Sequence, residues 1–72
     1  MDAIYSPFSV ERSSALFSLA GYNREKAVEI QRGKNWLSKL ILVSSLKRAA
    51  LKYKEDADDL NRAASIIFGQ IF

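Results

Sequence analysis

The chain contains no cysteine and no histidine. Without cysteine it has neither disulfides nor thiolate metal sites, the staples that rescue domains too small for a large core. Without histidine it lacks the usual zinc ligand, the pH switch of the neutral range and the commonest general base. Proline occurs once and glycine three times, and no glycine-rich phosphate loop can be written from them. No apolar run approaches the roughly 20 residues of a membrane span. The best, Leu40-Ile41-Leu42-Val43, lies between Lys39 and Ser44-Ser45. The opening Met1-Asp2-Ala3-Ile4 lacks the basic start and apolar stretch of a signal peptide. These absences lead us to expect a cytoplasmic protein with no cofactor, no metal and no small-molecule substrate.

What remains is 72 residues, 49% of them hydrophobic, with 11 Lys+Arg against 8 Asp+Glu and a net charge of +3. That length makes one domain, 1–72. A chain so short buries only about 60% of the surface its unfolded form exposes and is marginal by itself. The positive charge is ordinary for a small domain and permits nucleic-acid contact without demanding it.

The hydrophobic periodicity is helical throughout, with no strand-like alternation. Ser6-Pro7 reads as a helix start and Gly21 as its stop. The spacing predicts a helix over 7–20 with Glu11, Ser14 and Ser18 outward and Phe8, Ala15, Leu16, Leu19 and Ala20 inward. Asn23 is a good cap for a second helix from Arg24, with Ala27 and Ile30 on one side and Glu25, Glu29 and Arg32 on the other. A break is expected near Gly33, where one long helix is the alternative. From 36 to 54 apolar residues cover most of the circumference, leaving a thin polar strip of Ser38, Ser45, Arg48 and Lys52. Such a helix is expected to be central or to lie at a subunit interface. The acidic run Glu55 to Asp59 suits a new helix start, and Leu60, Ala63, Ala64, Ile67 and Ile71 form the stripe of a last helix. The expected fold is all-α: three to four helices in a small bundle, completed by self-association or a partner chain.

Catalytic chemistry is thin. The carboxylate pairs Glu25/Glu29 and Glu55/Asp59 sit at helical spacing on polar faces and read as solvated charge rather than an acid–base couple. The serines have no histidine to activate them. Lys39 lies in an apolar segment and is expected to reach water along its stem. Asp56-x-Asp58-Asp59 resembles half of a calcium loop but lacks its central glycine and terminal glutamate. We expect no enzyme.

Two binding functions remain. Phe8, Phe17, Trp36, Tyr53, Phe68 and Phe72 exceed what a three-helix core of this size can bury, and leftover aromatics anchor interfaces. Ile66 lies about 100° off the Ile67/Ile71 stripe and Phe72 lies off it on the other side. Trp36, Tyr53, Ile66, Phe68 and Phe72 are therefore the candidate partner-binding residues of a protein–protein interaction module of the adaptor, inhibitor or co-chaperone type. The alternative is a helix-turn-helix DNA-binding regulator, with Gly21-Tyr22-Asn23 as the turn and Arg24, Lys26, Arg32 and Lys34 on phosphates. The segment Leu60-Asn61-Arg62-Ala63-Ala64-Ser65-Ile66-Ile67 resembles the last helix of small type III secretion needle co-chaperones, over about a tenth of the chain. Such helices are common, and no site residue follows from the resemblance.

Overall fold

The computed structural model describes residues 9–71. Four α-helices follow one another: α1 (Val10–Leu19), α2 (Arg24–Arg32), α3 (Trp36–Lys52) and α4 (Ala57–Gly69), with a 3-10 turn at Lys54–Asp56 before α4. The described residues contain no strand, and the all-α bundle expected from the periodicity is the fold.

The helix ends are set by local chemistry. Ser9, in an extended conformation, caps α1 by accepting from the Arg12 amide at 3.0 Å. The helix thus begins later than the 7–20 reading; the Ser6-Pro7 start and Phe8 lie outside the described residues. At its other end, Gly21 adopts a φ of +87°. The Tyr22 amide returns to the Phe17 carbonyl at 2.8 Å and the Gly21 amide to the Ser18 carbonyl at 3.0 Å. This is the Schellman closure, which needs a left-handed residue where a side chain would be strained. Asn23 caps α2 through the Lys26 amide, and Asn35 caps α3 through the amides of Leu37 and Ser38. The expected break at Gly33 is present, but with a φ of −72°. The Asn35 cap opens the new helix, and left-handed backbone plays no part.

α3 and α4, joined through residues 53–56, form an antiparallel hairpin with the most extensive contact among the described elements. Leu42, Leu46, Leu60 and Ala64 are completely buried in it, beside Val43, Ala49, Ala50, Ala63 and Ile67. The alanines let the two backbones approach while the leucines supply apolar area, about 1.5–3 kcal/mol for each large side chain fully buried. α1 and α2 close over this hairpin with Leu16, Phe17 and Ala27.

Three of the expected face assignments need correction. Ala15 is exposed, while Ser13 and Phe17, which the stripe left out, are buried. Phe17 fills the core beside Leu16 and Ala27. The third correction concerns α3. Ser38 and Ser45 of the expected outer strip are half-buried, and the outward arc instead carries Trp36, Leu37, Ile41 and Leu51.

Candidate functional site

Polar contacts decide which sides of the hairpin are covered. Arg12 of α1 spans Asp56 and Asp59 at the start of α4. Its Nη2 donates to Asp56 Oδ1 at 2.6 Å and its Nε to Asp59 Oδ2 at 3.1 Å. These hydrogen bonds, Asp56 first, raise the guanidinium pKa above its already high value. The acidic run is therefore more than a solvated helix start: two of its carboxylates fasten α1. At the far end of α4, Gln70 Nε2 donates to Gln31 Oε1 of α2 at 3.4 Å, and Gln31 Nε2 donates to the Ala27 carbonyl at 3.2 Å. Asp59 and Gln70 lie within about 20° of each other around α4, so the side-chain contacts from α1 and α2 reach one row of that helix.

This row separates the candidate residues. Ile66, half-buried, also falls within about 20° of it. Phe68 lies nine residues beyond Asp59, about 180° round the helix, on the side away from α1 and α2. On α3, Ser45 and Ala49 face Leu19 and Ala20 of α1 across a shallow groove of about 240 Å³ rimmed by Arg48 and Lys52. Trp36 stands nine residues before Ser45 and so opposite that groove. In an antiparallel hairpin the N-terminus of α3 lies beside the C-terminus of α4, which brings Trp36 and Phe68 to the same end and the same open side. Both are substantially exposed, at 59% and 43%. Tyr53 is about 25 Å away along α3. It packs against the core at the other end, with the Lys52 ammonium 5.5 Å from its ring centroid. Phe72 lies outside the described residues. Of the five partner-binding candidates, Trp36 and Phe68 share a surface, and Ile66 and Tyr53 do not join it.

The missed residues are on α3. Its exposed positions, taken at about 100° per residue, fill one continuous arc from Trp36 through Ser44 to Lys52, and its buried positions fill the opposite one. Within the arc Trp36, Leu37 and Ile41 occupy the N-terminal half. Lys47, Arg48 and Lys52 occupy the C-terminal half, together with Leu51, at 81% the most exposed large apolar residue among those described. A signal for this face exists in the sequence: between Glu29 and Glu55 there are seven basic residues and no acidic one.

The nucleic-acid candidates are less well gathered. Around α2, exposed Glu25 and Glu29 lie between Arg32 and Lys26, while Arg24 is half-buried on the inner side. Lys34 sits in the connection to α3. The outward face of α2 is thus charge-balanced. The carboxylate pair Glu25/Glu29 is exposed, Asp59 of the other pair is bound to Arg12, and Lys39 is half-buried. Among the described residues no three metal-ligating side chains come together, and no helix is long and apolar enough to cross a membrane. No protein-family model matches this chain, and neither a curated protein nor a solved structure does.

Proposed function

We propose that the chain is a non-catalytic protein–protein interaction module, of the adaptor, inhibitor or co-chaperone kind, whose working surface is the outer face of α3. One observation carries this reading: Trp36, Leu37, Ile41 and Leu51, on a single helix, are each more than half exposed while the opposite face of the same helix builds the core. Large apolar side chains gathered on one surface mark a place where another chain sits. The absence of cysteine fits a reducing compartment, and we infer a cytoplasmic site of action.

The helix-turn-helix alternative draws on the Gly21 turn, but entry of α2 into a groove would bring Glu25 and Glu29 to the phosphates. Affinity capture from an extract of the source cells, at low and moderate salt, separates the two. A protein retained at moderate salt and lost with Leu51→Asp is the expected result. Capture of nucleic acid alone, falling with salt at a log–log slope near −0.9 per phosphate contact, would promote the alternative.

A further inference from the structure

We infer that the occupant of the α3 face is a second copy of this chain, packed antiparallel about a two-fold axis at Ser44; the inference rests on the proposal that this face binds protein. The argument begins with Leu51, the most exposed large apolar residue among those described and the one stranded among Lys47, Arg48 and Lys52. An acidic partner explains the cations but leaves Leu51 in a charged surround. A second antiparallel helix resolves it. Ser44 is the midpoint of Trp36–Lys52 and also the centre of the exposed arc, with Leu37 and Leu51 each about 20° to either side of it. Reversing the helix about Ser44 sets Leu37 of one copy against Leu51 of the other, twice. It sets Leu40 along the stem of Lys47, Ile41 along that of Arg48, and Trp36 at the rim beside Leu51 of the other copy. The residue on the axis is small, so the two helices can approach closely.

Parallel pairing would bring Lys47, Arg48 and Lys52 of the two copies face to face. The antiparallel register moves them apart, with Lys47 to Lys47 about 9 Å along the axis and Arg48 to Arg48 about 12 Å. These separations exceed the Debye length of about 8 Å at physiological ionic strength. The residual repulsion is therefore screened by salt, and the dimer tightens as salt is added. An acidic protein or a nucleic acid on the same cations would loosen instead. One helix against one helix lies at the small end of interface areas, so the affinity belongs in the micromolar range.

The test is sedimentation equilibrium of the full chain across the micromolar range, at about 50 and 500 mM NaCl. The expected result is a monomer–dimer equilibrium that is stronger at high salt and abolished by Leu51→Asp. Circular dichroism should be unchanged in that variant, because Leu51 makes little of the fold. Emission from Trp36, the single tryptophan, shifts to the blue with concentration. The chain has no native cysteine, so introduced thiols report the register cleanly: Ser44→Cys oxidises to a dimer alone, whereas Leu37→Cys and Leu51→Cys cross-link only when mixed. A folded monomer at both salts overturns the inference, as does self-association that weakens with salt or cross-linking of Leu51→Cys with itself. A monomer whose captured partner is still lost with Leu51→Asp refutes only the second copy. Partner capture indifferent to both Leu51→Asp and Trp36→Ala refutes the proposed function itself.

Discussion

The α3–α4 hairpin and the α1–α2 pair are held by different means. The hairpin is an apolar seam of Leu42, Val43, Leu46, Ala49 and Ala50 against Leu60, Ala63, Ala64 and Ile67, with Leu42, Leu46, Leu60 and Ala64 sealed from water. The α1–α2 pair contributes Leu16, Phe17 and Ala27 to that core and is otherwise fixed at its edges. There it has the Arg12 clamp on Asp56 and Asp59, the Gln31–Gln70 contact and the capped turn at Gly21. Burial sets how much stability each half contributes, while the edge contacts set where the smaller half sits. An all-α chain with no covalent staple can thus keep one half firm and leave the other separable.

The largest expected effect tests the firm half. Leu42→Asp places a charge with no partner at a completely buried position and should unfold the chain, read as loss of helical circular dichroism. Phe17→Ala removes the main apolar anchor of α1 and should cost about 3–5 kcal/mol. Hydrogen exchange on that variant breaks or sharpens the contrast. Protection is expected to vanish in α1 and α2 and to persist in α3 and α4; simultaneous loss in all four would make the molecule one cooperative unit. Gly21→Ala meets no neighbouring atom within 4 Å. Its penalty is therefore conformational, about 1–2 kcal/mol for a left-handed residue, and should appear as a lowered melting temperature with the hairpin amides still protected. Smallest and opposite in sign is Ser13→Ala. The Ser13 hydroxyl is buried without a hydrogen-bond partner among the described residues, so its removal should leave stability unchanged or raise it by less than about 1 kcal/mol in a denaturant titration.

What could be read in the sequence follows the range of the interaction involved. Asn23, Asn35 and Gly21 act on amides within a few residues, so the bounds of α2, the break after Gly33 and the end of α1 follow from local chemistry. The register of α4 was equally legible, because Leu60, Ala63, Ala64 and Ile67 are spaced for one face and nothing competes with them. α3 was harder. Its apolar residues surround the helix, and periodicity alone cannot say which side meets α4; the serines of the expected outer strip turn partly inward and Trp36, Leu37 and Ile41 turn out. Ser13 and Phe17 were misplaced for a related reason. Their burial depends on where α2 and α3 lie, which no spacing within α1 records. The partners of Arg12, more than forty positions away, were out of reach for the same reason. Among the interface candidates, Trp36 and Phe68 share an open side only because the hairpin turns the chain back upon itself.

The Arg12 clamp also has a consequence for the order in which the molecule assembles. Arg12 lies 44 residues from Asp56 and 47 from Asp59, whereas α3 and α4 are joined by residues 53–56 alone. Loop-closure entropy makes the longer closure dearer by about 2 kcal/mol, so the hairpin nucleates and the N-terminal helix is captured afterwards. A contact made after the barrier governs how fast the native state is lost rather than how fast it is reached. Stopped-flow measurements on Arg12→Ala should accordingly show faster unfolding and an unchanged refolding rate. The two carboxylates at the start of α4 then act as a latch, setting how long the N-terminal helix stays in place once it has arrived.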